Sequence, residues 1–345
     1  MELAEAMSQV PGVHGQLSLS DRAEILGGPS PPHCDLPMPT YSGVAGFVWR
    51  LFCSPFLVPW LVRRLHVLRP DLVVCAMPGP LDPVFLVALR VCRVPIVVVV
   101  HDADPHPGDV FPMMLKLQRV IVRRANAVVT LSAHVAQRLR EQGLVRPGVR
   151  VVAIGHPPRD FGPAVQPFAH GGPLRLLFFG RLLPYKGLDL LADALRVLGP
   201  RADLETRIVG SGPESPPLSA LRGLPGVTVE NRWVPEHEIG TIIAWADALV
   251  LPYREASQSG AAAAAIAACR FVVATQVGGL VEQVRDYALA RLCDPDPSSI
   301  AAALDGLLKD RGTVVPYTHH SNSSWQSFAQ AILDVAATAP GEATV

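Results

Sequence analysis

The chain has 345 residues, enough for two domains of ordinary size, and its 30 Lys and Arg balance its 30 Asp and Glu. That balance excludes nucleic acid as a dominant partner, because a polyanion calls for a basic excess. Six scattered cysteines without a CxxC pair read as small core residues of a reducing compartment; no basic segment followed by an apolar run opens the chain, so a cytoplasmic protein is expected.

In chain order, residues 2–10 read as a helix and 15–20 as a strand. Residues 44–68, VAGFVWRLFCSPFLVPWLVRRLHVL, are apolar and rich in aromatics, but Arg50 and two prolines interrupt them. A spanning helix needs about 20 uninterrupted apolar residues, which argues against one here. Two readings stay open for this segment. One is a core-facing helix pair in the first domain. The other is peripheral contact with an anionic membrane through Trp49, Phe52, Phe56 and Trp60, with Arg63, Arg64 and Arg69 nearby.

Strands are then expected near 71–76, 95–100, 127–131 and 150–154, with helices near 81–92, 112–124 and 132–141. A stretch at 156–173, rich in Pro and Gly and without periodicity, reads as the linker. Beyond it, strands at 174–179, 206–210, 227–230, 248–251, 271–275 and 289–293 alternate with helices at 187–198, 236–245, 260–268, 279–285 and 298–309. Alternation of this kind predicts an α/β protein with parallel sheets covered by helices on both faces. A final helix is expected at 324–337.

Three stretches carry candidate chemistry. In LRLLFFGRLLPYKGLDLLADALRVL, starting at Leu174, a buried strand ends at Gly180 and a helix begins after Gly187. Arg181 and Lys186 lie in the loop between, at the carboxyl end of the strand, where open α/β sheets bind their ligands. Two cations there suit a phosphate-bearing ligand, or they are solvated surface charges. Ser259 and Gly260 precede an alanine-rich helix whose free N–H groups favour an anion, and Ser259 also reads as a plain N-cap. Finally, His101-Asp102-Ala103-Asp104-Pro105-His106 follows an apolar strand. It reads as a metal site, as a DxD motif or as a polar loop facing a ligand.

The loop FGRLLPYKGLDLLADAL resembles the signature of family-4 nucleotide-sugar glycosyltransferases, in the branch with QSG where others carry two glutamates. IVGSGP at 208–213, ADALVLPY at 246–253, QSG at 258–260 and VVATQVGGLVEQV at 272–284 follow in the family's order. The resemblance implies the GT-B fold, two Rossmann-like domains facing each other across a cleft. Residues 1–160 would form the acceptor-side domain and 171–320 the nucleotide-sugar domain, with 321–345 a helix and tail crossing back. The family would normally open with a strand and a glycine-rich loop, and neither is found before the first helix. Either the start lies upstream or this lineage has lost the element.

By the same resemblance Arg181, Lys186, Ser259 and Gly260 hold the donor diphosphate. His101, His106, Gly210, Val234, Gln258, Glu255 and Glu282 face the donor sugar or nucleoside, and His101, Arg181 and Lys186 carry catalysis. The family's paired glutamates fall on Ala256 and Ala264, which puts ribose recognition in question; Glu255 is one residue out of register. Trp233 reads as core. The implied reaction is metal-independent, cofactor-free transfer with retention from a nucleotide-diphosphate sugar to a glycan or lipid-linked acceptor, in bacterial polysaccharide or glycolipid synthesis. A non-catalytic sugar-nucleotide-binding or scaffold protein is the first alternative. A metal-dependent hydrolase on His101, Asp102, Asp104 and His106 is the second.

Overall fold

The computed structural model describes residues 2–28, 31–41, 43–79, 81–105, 107, 112–158, 161, 167–168, 170–310 and 324–338. The first half runs α1 (Glu2–Ser8), β1 (Ser18–Ser20), β2 (Leu36–Met38), α2 (Gly43–Phe52), α3 (Ser54–Leu68), β3 (Val73–Cys75), α4 (Asp82–Val91), β4 (Ile96–Val100), α5 (Pro112–Val122), β5 (Ala127–Thr130), α6 (Ala133–Glu141) and β6 (Arg150–Ala153). Strands β3 to β6 form a parallel sheet in chain order, whereas β1 and β2 pair only with each other. The strand expected at 15–20 therefore forms over three residues, outside the main sheet.

The second half contains β7 (Leu174–Phe179), α7 (Leu188–Leu198), β8 (Leu204–Gly210), α8 (Pro216–Arg222), β9 (Val227–Asn231), α9 (Glu236–Trp245), β10 (Ala248–Leu251), α10 (Gly260–Ala267), β11 (Phe271–Thr275), α11 (Gly278–Val284), β12 (Ala290–Cys293) and α12 (Pro297–Lys309). Its parallel sheet has the order β12-β11-β10-β7-β8-β9. Strands buried on both faces need unbroken apolar runs, and β4, β5, β10 and β11 are buried at every position. Strand β7 lies between β8 and β10, so chain order reverses there. The loops after β7 and β10 flank a crevice at the carboxyl ends of the strands, the position where such sheets take ligands.

The last helix, α13 (Trp325–Ala337), returns to the first domain. Its Phe328, Ile332 and Val335 pack with Val97, Val99, Ala127 and Val129, and Leu3 and Met7 of α1 join the same cluster. Two elements went unread in the sequence. Strand β2 has only three residues, and the Pro-Pro pair opening α8 resembles a turn, although proline is tolerated in a first helical turn.

Residues 44–68 do form two helices, bent by 66° at Cys53, and among the described residues no single helix is long and apolar enough to cross a membrane. The core-facing reading holds for only one side of them. In α3 Leu61 and Leu65 are buried, while Trp49, Phe52 and Phe56 are 65%, 72% and 79% exposed.

Candidate functional site

Glycines draw the loops of the crevice together. A Cβ on Gly210, at the end of β8, would stand 1.7 Å from the Gly180 carbonyl at the end of β7. Gly187 has φ +68, and a Cβ there would stand 1.8 Å from the Pro252 carbonyl. The loop bearing Arg181 and Lys186 is thereby pressed against the exit of β10, an approach that any side chain at Gly187 would block.

Lys186 Nζ sits 3.7 Å from the Tyr253 ring centroid and 4.9 Å from that of Tyr185. The ammonium is enclosed by the two rings while part of the side chain remains open to solvent. Burial lowers its pKa to about 8; Arg181 pushes in the same direction, and Tyr185 and Asp102 oppose it. Arg181 is exposed, donates to the Tyr185 hydroxyl at 2.8 Å and lies with its Cζ 5.7 Å from that ring. Tyr253 is fully buried, which drives its phenol up to about 12, and its hydroxyl is 3.2 Å from Ser259 Oγ.

Ser259 is the N-cap of α10. Its Oγ accepts from the Ala262 amide at 3.2 Å, and its own backbone amide and carbonyl exchange bonds with the Gln283 side chain at 2.9 Å each. The plain-cap reading thus describes what its hydroxyl does. Gly260, next to it, is exposed. Gln258 Oε1 is buried without a hydrogen-bond partner among the described residues. Arg181, Lys186 and the start of α10 are therefore joined through Tyr185 and Tyr253. Neither tyrosine was singled out from sequence; the signal was that each is an aromatic with a hydroxyl at the mouth of an apolar strand.

Opposite them stands the loop after β4. His101 follows the strand directly, and its Nε2 is 2.9 Å from the Ala76 carbonyl, which assigns the proton to that nitrogen. The Asp102 carboxylate in this loop favours the charged form of Lys186, as the smallest of the influences on it. Asp104 accepts from Arg138 Nε at 2.8 Å and Gln142 Nε2 at 2.7 Å, and the Arg138 bond holds its carboxyl below the usual range. Its carboxylate thus ties the loop to α6. His106 lies outside the described residues, and among those described no group of three or more His, Cys, Asp or Glu is placed to hold a metal.

Glu282 points to the other domain. Its two oxygens accept from the amides of Ala133 at 2.6 Å and His134 at 2.9 Å, capping α6, where the helix dipole favours an anion. Beside it Ser132 Oγ donates to the Ser257 carbonyl at 2.9 Å, across a seam where a Cβ on Gly279 would stand 2.6 Å from the same Ser132 Oγ. Donor contact through the Glu282 carboxylate would require this link to open. A cavity of about 460 Å³ lies between the domains beside the seam. Asp104, His134 and Arg138 wall it on one side, and Arg254, Glu255, Ala256, Val277 and Gly278 on the other; Arg181 and Lys186 are not part of its walls. Ala256 and Ala264 are buried. Val234 is in the loop after β9, which Arg232 fastens by donating its amide to the Gly210 carbonyl at 2.7 Å. Trp233 is 70% exposed there, contrary to the core reading: it lies beyond the last strand residue and no layer covers it.

Comparison with known proteins agrees with this architecture. Residues 32–155 match the family model of the glycosyl transferase 4-like domain, and residues 173–310 that of glycosyl transferases group 1. A D-inositol 3-phosphate glycosyltransferase of Jonesia denitrificans is 33% identical over 184 residues, 48% of this chain and 43% of the relative. The chain thus spans less than half the length of that relative. Among solved structures, a sucrose-phosphate synthase from Thermosynechococcus elongatus superposes with a TM-score of 0.62 at 16% identity, covering 98% of this chain and 87% of that one. Anabaena HepE in complex with UDP-glucose gives 0.57 at 20% identity, over 81% and 79%. The chain has the GT-B fold, and its two halves match, in order, the glycosyl transferase 4-like and the group-1 glycosyl transferase family models.

Proposed function

We propose that the protein transfers a sugar from a nucleotide-diphosphate sugar to an acceptor hydroxyl, with retention and without a metal. The observation that carries this reading is the arrangement of Lys186, Arg181 and the start of α10 around Tyr185 and Tyr253 at the switch point of the second sheet. Departure of a nucleoside diphosphate places growing negative charge on its phosphates, and preorganised cations and helix-end amides lower that barrier. Loss of one such group typically costs about 10²–10³ in rate. A diphosphate would also restore a counter-charge to Lys186, whose ammonium is held in an unfavourable environment between two rings. His101, beside Asp102, would orient the donor sugar, and Gln258 Oε1 would accept from one of its hydroxyls. The acceptor is a glycan or a lipid-linked sugar, and the bacterial setting is polysaccharide or glycolipid assembly. On this reading the protein works in the cytoplasm, at the inner face of the membrane.

The test is Arg181→Ala combined with Lys186→Ala, assayed against a panel of nucleotide sugars by thermal shift and product analysis. Binding of a donor raises the melting temperature of the wild type by mass action. The double variant should lose that shift and transfer; survival of both would refute the assignment. A second reading, sugar-nucleotide binding without transfer, draws on the buried alanines at 256 and 264 and on the engagement of Glu282. It predicts donor binding with neither transfer nor donor hydrolysis on long incubation.

A further inference from the structure

We infer that the outer face of α2, α3 and α4 docks on an anionic lipid bilayer. In α3 the exposed residues Phe56, Trp60, Arg63 and Val67 recur at helical spacing and form one stripe, opposite the anchoring Leu61 and Leu65. Helix α2 extends the stripe with Val48, Trp49, Leu51 and Phe52, and the rings of Trp49 and Phe52 stack at 6.1 Å. Helix α4 packs on α3 and adds Val87 and Val91. An apolar patch of this extent on a folded domain marks an interaction surface.

Charge decides which partner fits. Arg63, Arg69, Arg90 and Arg93 are exposed around the patch, and no Asp or Glu occurs between residues 43 and 70. A bilayer with anionic headgroups meets both features, taking the rings at headgroup depth and the guanidinium groups at the phosphates. A second copy of this chain fits less well, because a two-fold contact would bring the arginine rim against itself, and residues 43–93 hold six arginines against two carboxylates, Asp71 and Asp82. The pair would lie along the surface, bent by 66°, since neither helix is long enough to cross. Arg50 and Arg64 donate to the carbonyls of Thr40 and Asp35, and these bonds tie the two helices to the domain and fix the face they present. Such docking would deliver a lipid-linked acceptor to the transferase; that consequence rests on the proposed activity, whereas the docking itself does not.

Flotation of the full chain with vesicles of phosphatidylcholine alone, and of phosphatidylcholine with about one third phosphatidylglycerol, tests this. Binding should be at least about tenfold stronger on the anionic vesicles and should weaken with salt. Trp49→Gln, Phe52→Gln and Phe56→Gln together should abolish it. Arg63→Gln, Arg69→Gln, Arg90→Gln and Arg93→Gln together should reduce it by about tenfold or more on anionic vesicles only. Both variants alter exposed side chains, and each should keep the wild-type melting temperature and UDP affinity. No binding by the wild type, or undiminished binding by the aromatic variant, overturns the proposal. A concentration-dependent dimer that the aromatic variant dissolves, without vesicle binding, assigns the face to self-association and overturns it equally. Vesicle binding with no donor binding would instead refute the transferase reading and leave the docking intact.

Discussion

Replacing Lys186 with methionine should make the protein more stable and at the same time destroy its donor site. The ammonium lies between the Tyr185 and Tyr253 rings, and burial lowers its pKa from 10.5 to about 8. A shift of that size corresponds to roughly 3 kcal/mol of unfavourable charge burial. Attraction to the two rings and the side chain's remaining exposure offset part of it, so a gain of about 1–2 kcal/mol at pH 7 is expected. Methionine has a similar length and packs well against aromatic rings. For a domain of this size the melting temperature should rise by about 3–6 °C. The gain must also depend on pH. Below about 8 both folded and unfolded chains carry the proton, and the folded state bears the full penalty. Between about 8 and 10.5 only the unfolded chain still holds the proton, so wild-type stability rises with pH. The difference between variant and wild type should therefore shrink toward pH 10. Scanning calorimetry at pH 7 and pH 9.5 measures both effects. A destabilised variant, or a gap that does not change with pH, would refute the enclosed-ammonium argument.

Donor affinity of the wild type should fall as pH rises through about 8, by on the order of tenfold between pH 7 and pH 9 if only the charged lysine binds; isothermal titration with UDP measures it. Glu282→Ala removes the carboxylate that caps α6 from the other domain, and should cost about 1–2 kcal/mol and increase the radius of gyration in X-ray scattering. Gly187→Ala places a methyl group against the Pro252 carbonyl at a positive φ, so its melting temperature should drop by about 5 °C or more, or the chain should fail to fold. Sugar transfer should be unchanged by EDTA, whereas loss of activity restored by a divalent cation would contradict the metal-independent proposal.

Much of this arrangement is legible in the chain because parallel strands buried on both faces leave an unmistakable signal. The runs Leu174–Phe179, Ala248–Leu251 and Phe271–Thr275 were placed to the residue, each bounded by a glycine, proline or polar residue where the sheet ends. Local spacing also put Arg181 and Lys186 in one loop and Ser259 at a helix start. It could not show that Tyr253 lies between them, since that contact joins two loops more than sixty residues apart and depends on Gly187 fitting beneath Pro252. The capping role of Glu282, read from the sequence as a donor contact, was hidden for a related reason. Its partners are backbone amides of the first domain, which carry no side-chain pattern. The segment 44–68 was ambiguous because periodicity separates the two sides of a helix without saying which is covered; only the packed fold exposes Trp49, Phe52 and Phe56.

A crystal structure of the protein with UDP bound is the most direct measurement. The predicted result is a diphosphate whose oxygens lie within hydrogen-bonding distance of Lys186 Nζ and the Arg181 guanidinium, beside the first turn of α10. A nucleotide bound elsewhere, with Lys186 still enclosed by Tyr185 and Tyr253 and touching no phosphate, would contradict it.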